Sequence, residues 1–152
     1  MNYTYNLCED GKYDDAIQYF DAILQKDPGN VKIMIDKGVT LAYLGKFDEA
    51  ITCYDNAIQL DSFNSDALVN KGAALHSMGK YKEAIKCYDS ALTIDWESVL
   101  ALTYKGLSLG ELGMLEEALW HFDKAISIDS EYDVAINNRE TALELLKTKK
   151  IK

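Results

Sequence analysis

The chain has 152 residues, of which 48% are hydrophobic and 27% charged, and its formal net charge is −9. No apolar run approaches the roughly 18 residues of a membrane helix, and the first ten residues lack the basic and apolar pattern of a secretory signal. Because so acidic a body repels phosphate backbones and anionic lipid, we expect no nucleic-acid or membrane partner. The cysteines Cys8, Cys53 and Cys87 lack metal-ligand or CxxC spacing, which is typical of the reducing cytoplasm.

The most informative feature of the sequence is self-similarity with a period of 34 residues. Positions that lie 34 residues apart form a column of equivalent positions. The most regular columns hold Gly11, Gly45, Gly79 and Gly113; Ala16, Ala50, Ala84 and Ala118; the aromatics Phe20, Tyr54, Tyr88 and Phe122; and Asp27, Asp61, Asp95 and Asp129. This period is typical of solenoids of helix pairs, in which each unit packs on its neighbours. The sequence therefore predicts one all-α domain over residues 1–147.

The N-terminal stretch, residues 1–30, is predicted to be a partial repeat. Residues 1–10 occupy the place of a first helix, which Gly11 ends as a left-handed C-terminal glycine does. From Tyr13 to Lys26, apolar residues recur at intervals of three and four, which predicts an amphipathic helix with acids in its first turn. Pro28 then closes the turn.

The rest of the chain divides into complete repeats and an end. Three complete repeats are predicted, over residues 31–64, 65–98 and 99–132. Each is expected to form a helix of about 14 residues, a glycine turn and a second helix. Residues 133–147 predict a capping helix that covers the apolar edge of the last repeat. The lysine-rich residues 148–152 are expected to be a solvated tail.

Small residues also recur inside the helices. Gly38, Gly72 and Gly106 form one such column. Because a glycine inside a helix costs about 1 kcal/mol relative to alanine, its recurrence implies a steric requirement. We expect each of these glycines to leave room for the aromatic residue of the facing helix, as Gly72 would for Tyr88.

These columns resemble those of the tetratricopeptide repeat (TPR) family. The third unit shows the pattern best, with Gly72, Tyr81, Ala84, Tyr88 and Ala91, and the resemblance covers residues 1–132. It implies a right-handed superhelix of antiparallel helix pairs. It also implies that the first helices line a concave groove, which binds an extended or helical segment of a partner protein.

The sequence departs from the family pattern in three columns, the first of which holds Met34, Leu68 and Leu102 in place of the family's tryptophan. Lysine stands at positions 37, 71 and 105, where the family has leucine, and the family's proline is kept only as Pro28. Trp96 occupies the proline column, so we expect its turn to be looser or to face a partner. Trp120 lies on the polar side of its helix and is either a contact residue or a single exposed aromatic.

The resemblance implies which residues face the groove. The candidate partner-binding residues are Ile35, Val39, Tyr43, Val69, Asn70, Ala73, His76, Ser77, Thr103, Tyr104 and Leu107. Asn70 has both a donor and an acceptor for a partner's backbone, and the apolar residues suit apolar side chains. The alternative is that these residues only cover one another across adjacent helices.

One branch of the family binds chaperone C-terminal carboxylates with lysine, arginine and asparagine side chains on three successive first helices. In this chain the two possible frames give Met1, Tyr5, Asp36, Asp66 and Asn70, or Ile35, Val39, Asn70, Leu100 and Tyr104. Neither frame contains a cation, and the first places carboxylates where an anion would sit. The sequence therefore predicts an apolar, neutral or basic partner segment and no carboxylate clamp.

No motif in the sequence indicates catalysis, a metal or a cofactor. His76 and His121 belong to different helices of different repeats, and no nucleophile lies in a motif with a base. We therefore expect a non-enzymatic scaffold or adaptor. The alternatives are a homo-oligomer that associates through the N-terminal edge, residues 1–17, and a piece of a longer TPR array.

Overall fold

The computed structural model describes residues 12–150, with side chains for residues 12–148, and this part of the chain contains no strand. The predicted helix over residues 1–10 and Gly11 lie outside the described residues. The helices are α1 (Tyr13–Lys26), α2 (Val31–Tyr43), α3 (Phe47–Leu60), α4 (Ser65–Ser77), α5 (Tyr81–Ile94), α6 (Val99–Glu111), α7 (Leu115–Ile128) and α8 (Asp133–Lys150). The predicted all-α fold is confirmed, and α8 continues three residues beyond the predicted end at residue 147.

The helices form a single curved stack. Each helix packs on the next one in the chain, and the first helices of successive repeats, α2, α4, α6 and α8, also contact one another. The second helices, α1, α3, α5 and α7, do not pack on each other to a comparable extent within the described residues. Because contact is closer on the side of the first helices, that side is the concave face of the stack and the second helices form the outer face.

The helix pairs are held close by a glycine under an aromatic ring. A Cβ atom on Gly106 would lie 2.6 Å from Cε1 of Phe122, and one on Gly38 would lie 2.5 Å from Cε1 of Tyr54. Ordinary contacts between carbon atoms are about 3.5–4.0 Å, so a side chain at either glycine would collide with the ring. Both rings are almost fully buried. The expected steric requirement is therefore confirmed.

The turns inside the repeats depend on glycine. Gly45, Gly79 and Gly113 have φ angles of 75°, 74° and 76°, and no other described residue has a positive φ angle. Each follows a first helix and adopts the left-handed conformation that ends it, which a residue with a Cβ atom adopts only at a cost. The left-handed ending that Gly11 is predicted to provide therefore occurs in the three described copies of its column.

The start of each described first helix from α2 to α6 is capped by a polar side chain. The Asn30, Asn64 and Ser98 side chains accept hydrogen bonds from the backbone N–H groups three residues further on. Such caps satisfy N–H groups that have no partner within the helix. The aspartates that precede Asn30 and Asn64 by three residues accept hydrogen bonds from the cap amides, which fixes these turns.

An ion pair links each second helix to the first helix that follows it. The lysine Nζ lies 2.5 Å from the aspartate Oδ1 in the pair Lys37–Asp21, 2.6 Å in Lys71–Asp55 and 2.5 Å in Lys105–Asp89. The fourth pair joins Arg139 to Asp123. The lysines that depart from the family's leucine therefore pair with an aspartate column of the same period. The aspartates are half exposed, so each pair contributes only about 0–1 kcal/mol.

Candidate functional site

Of the eleven predicted groove residues, three are exposed, six are half-buried and two are buried. Tyr43 is 73% exposed and Val39 is 45% exposed, whereas Val69 is 7% exposed and Thr103 is fully buried. Val69 belongs to the buried cluster that includes Tyr88 and Ala101, and Thr103 stands in the same column one repeat further on. Placing Val69 and Thr103 on the binding surface was therefore wrong.

A pocket of about 150 Å³ lies on the concave face between α2 and α4. It is lined by Val39, Ala42, Phe47, Tyr54, Asn70, Ala73, Ala74 and Ser77, and we call it the groove pocket. Four of the predicted residues, Val39, Asn70, Ala73 and Ser77, meet here. The lining combines apolar side chains with the amide of Asn70 and the hydroxyl-bearing side chains of Ser77 and Tyr54.

The polar side chains of the groove pocket are partly engaged with their own helix. Asn70 Nδ2 donates a hydrogen bond to the carbonyl oxygen of Asp66 at 2.9 Å, and Ser77 Oγ donates one to the carbonyl oxygen of Ala73 at 3.1 Å. Asn70 Oδ1 accepts no hydrogen bond within the described residues. The amide is thus held in place by one bond and retains an acceptor for a partner's N–H group.

The predicted aromatic residues of the groove pack on other rings. The ring of Tyr43 lies 4.8 Å from that of Tyr13, at the N-terminal end of the described stack. Tyr104 stacks on Tyr88 at 6.2 Å. Leu107 packs against the cluster at the last repeat, and Ile35 packs against the cluster around Tyr54. Tyr104, Leu107 and Ile35 are therefore half-buried side chains that cover their neighbours, and none of them lines the groove pocket.

His76 ties two repeats together. Its Nδ1 lies 2.8 Å from Oγ of Ser108, a buried residue of the next first helix. The centroid of its ring lies 5.1 Å from that of Tyr81, and the two rings meet edge-on. Burial lowers the pKa of His76, and Glu111 opposes this effect. His76 thus makes a half-buried contact between repeats at the side of the groove.

A second pocket, of about 360 Å³, lies on the outer face between α5 and α7. It is lined by Asp89, Leu92, Thr93, Trp96, Leu102, Lys105, Trp120, His121 and Lys124, and we call it the tryptophan pocket. Trp96 is 62% exposed and Trp120 is 58% exposed. Lys124 Nζ lies 5.3 Å and 5.4 Å from their ring centroids, within the range of cation–π attraction.

His121 forms part of the floor of the tryptophan pocket. It is 9% exposed, and its Nδ1 has no hydrogen-bond partner within the described residues. An unsatisfied buried polar atom typically costs about 1–3 kcal/mol. Burial lowers the pKa of His121 to about 4, with Lys105 and Lys124 adding to the decrease and Asp89 opposing it. The histidine is therefore neutral at neutral pH.

Cys53 and Cys87 are free and half-buried, and burial raises the pKa of both thiols. Within residues 12–150 no group of three or more His, Cys, Asp and Glu side chains is placed to hold a metal ion. No helix in that range has the length and apolar character needed to cross a membrane.

The stacked helix pairs and the concave groove place the chain among the helical-repeat solenoids. Sequence profiles described as "Tetratricopeptide repeat" match residues 7–55 and 65–95, and one described as "TPR repeat" matches residues 38–79. The chain belongs to the tetratricopeptide repeat family. No curated protein sequence matches it significantly.

Solved structures of similar shape confirm the fold. The protein in the crystal structure of MamA shares 22% sequence identity with this chain, and the two structures superpose with a TM-score of 0.78 over 100% of this chain and 99% of that chain. The first TPR domain of human RPAP3 is 23% identical, with a TM-score of 0.78 over 82% of this chain and 98% of that chain. A third structure, the first TPR of Spaghetti (RPAP3) bound to the HSP90 peptide SRMEEVD, is also 23% identical, with a TM-score of 0.74 over 77% of this chain and 93% of that chain.

Proposed function

We propose that the chain is a non-enzymatic protein-interaction module whose concave groove binds a segment of a partner protein. The observation that carries this proposal is the groove pocket. There, exposed Val39 and the methyl group of Ala73 flank an amide whose oxygen has no partner within the described residues. An apolar side chain of the partner would enter the pocket while its backbone bonds to Asn70.

The charges around the groove favour an apolar, neutral or basic segment. Asp66 and Glu111 are exposed, and Asp36 is paired with Lys32 at 3.0 Å. The Spaghetti (RPAP3) domain was solved with the acidic peptide SRMEEVD. In this chain, Asp36, Asp66 and Asn70 stand at three of the clamp positions, and Met1 and Tyr5 lie outside the described residues. Carboxylates at an anion site repel the ligand, so we propose that the chain has no carboxylate clamp.

A selection of displayed peptides against the immobilised chain tests this proposal. The groove variant is Val39→Ala with Asn70→Ala, which removes the apolar contact and the amide without touching a fully buried residue. The matched control is Thr52→Ala with Ser90→Ala. Both control hydroxyls lie on second helices and donate only to their own helix.

We expect selected peptides to carry apolar residues with zero or positive net charge. The groove variant should bind them at least about tenfold more weakly in fluorescence polarisation, because two contacts of the pocket are lost. The control variant should bind as the wild type does. Selection of peptides with an acidic C-terminus, or equal binding by the groove variant, would refute the groove assignment.

A second candidate function is self-association through the N-terminal edge. The observation that favours it is the 73% exposure of Tyr43, whose ring lies 4.8 Å from that of Tyr13 at that end of the described stack. Light scattering at increasing concentration tests it. A dimer that Tyr43→Ala dissociates would support this function, and a monomer at every concentration would remove it.

A further inference from the structure

The tryptophan pocket is built from residues that break the 34-residue period. Trp96 stands in a column with Pro28, Ser62 and Ser130; Trp120 follows Gln18, Thr52 and Lys86; and Lys124 follows Ala22, Asn56 and Ser90. The corresponding positions of the other repeats hold small or polar residues, so stacking of the repeats does not require two tryptophans and a lysine here. The pocket is therefore a property of one place in the chain rather than of the fold.

The pocket contains a cation without a carboxylate partner. Lys105 is neutralised by Asp89 at 2.5 Å, whereas the amine of Lys124 forms no ion pair within the described residues. The two indole rings hold this amine between them. A ligand cation would have to displace it, whereas a ligand anion would gain a charge-assisted hydrogen bond from it.

The floor of the pocket adds a second polar group without a partner. His121 is more than nine-tenths buried and its Nδ1 makes no hydrogen bond within the described residues. The neighbouring floor residue Leu102 is 1% exposed and apolar. Asp95 and Glu97, which flank Trp96 in its turn, are not part of the lining. An anion is therefore received on the α7 side of the pocket, where the amine of Lys124 lies.

We propose that the tryptophan pocket is a second binding site, which takes an acidic peptide segment with an aromatic or large apolar side chain beside a carboxylate. The carboxylate pairs with Lys124, and the apolar side chain packs between the exposed faces of Trp96 and Trp120. A pocket of about 360 Å³ open to solvent suits a side chain of a longer segment. Charge complementarity with this partner is local, because it comes from the amine of Lys124 between the two indole rings.

The chain carries its own reporter for this site, because its only two tryptophans both line the pocket. The probe is the peptide acetyl-Glu-Glu-Phe-Glu-Glu-amide, titrated into the full chain while tryptophan fluorescence is recorded. The same titration with acetyl-Gln-Gln-Phe-Gln-Gln-amide removes the acid, and titrations with acetate and inorganic phosphate provide the anion alone. The test variant is Lys124→Gln.

The matched control is Lys86→Gln, which removes one exposed cation from a second helix but lies outside the pocket lining. We expect saturation by the acidic peptide below about 1 mM and at least roughly fivefold weaker binding by Lys124→Gln, since a charge-assisted bond is lost. The control and the groove variant Val39→Ala with Asn70→Ala should bind as the wild type does. Circular dichroism of each variant establishes that it is folded.

Several outcomes would overturn the proposal. No fluorescence change with the acidic peptide, or equal affinity for the glutamine peptide, would remove the site. Phosphate or acetate that saturates at the same concentration as the peptide would show a site for free anions only. Equal weakening by Lys86→Gln would show a non-specific charge effect. Weaker or unchanged binding of groove peptides by the groove variant concerns the groove pocket alone and does not test the tryptophan pocket.

Discussion

Replacing Gly106 with alanine tests whether the glycine columns are fixed by the aromatic ring above them. The added Cβ would lie 2.6 Å, 2.9 Å and 3.0 Å from three ring atoms of Phe122, a residue that is 2% exposed. Overpacking of a core typically costs about 1–3 kcal/mol, and three short contacts place this site at the upper end. The helix propensity of alanine offsets about 1 kcal/mol, so we expect a net loss of about 2 kcal/mol.

The same helix provides the control. A Cβ on Gly110, four residues further along α6, would meet nothing within 4 Å, so Gly110→Ala is expected to stabilise the chain by about 0.5–1 kcal/mol. Urea unfolding followed by circular dichroism measures both changes. Tryptophan fluorescence in the same samples shows whether the last repeats unfold together with the rest, because repeat arrays can unfold in parts.

A double variant separates crowding from a general effect on the helix. In the background of Phe122→Leu the ring is absent, so Gly106→Ala should cost less than it does in the wild type. Equal effects of Gly106→Ala and Gly110→Ala, or an unchanged cost in the leucine background, would refute the steric explanation.

Three further predictions concern the junctions and the buried histidine. In a double-mutant cycle, Lys71→Ala and Asp55→Ala should show a coupling of about 0.5 kcal/mol that decreases in 0.5 M salt, measured by urea unfolding, and no coupling would show that the pair adds nothing. Asn64→Ala should cost about 1 kcal/mol through loss of the cap of α4, whereas Asn64→Asp should retain most of the stability. The pKa of His121 is lowered from its usual 6.5 to about 4 in the folded chain. Between these two values the unfolded chain binds a proton that the folded chain does not bind, so the free energy of unfolding should decrease as the pH falls from about 6.5 towards 4. His121→Gln should remove this part of the pH dependence, and an imidazole that titrates near 6.5 by NMR would contradict it.

The repeated columns allowed the fold to be predicted because each reflects a geometric requirement that occurs several times. The glycine under each ring and the left-handed glycine after each first helix are two such requirements. The ion pairs could have been predicted in the same way, since Asp55 and Lys71 both belong to columns of period 34. The lysines were interpreted only as departures from leucine, because the pairing partner lies on the preceding helix and the family pattern does not include it.

The depth of each groove residue could not be predicted from the repeat. Val39 and Val69 occupy similar faces of equivalent helices, yet one is 45% exposed and the other 7%. The two valines stand in different columns, and burial also varies within a column, because Ile35 is half-buried where Val69 and Thr103 are buried. Lys124 was missed because its role depends on Trp96, a residue 28 positions away in the turn between α5 and α6.

The two candidate sites divide the chain by repeat and by face. The groove pocket lies on the inner face between α2 and α4, and the tryptophan pocket lies on the outer face between α5 and α7. A segment bound in one therefore leaves the other open. The charges differ as well, because Asp66 near the inner site is an exposed acid, whereas Lys124 in the outer site is a cation with no ion pair among residues 12–148. Two segments of opposite charge would thus be sorted between the two faces, which is the arrangement that an adaptor between unlike partners requires.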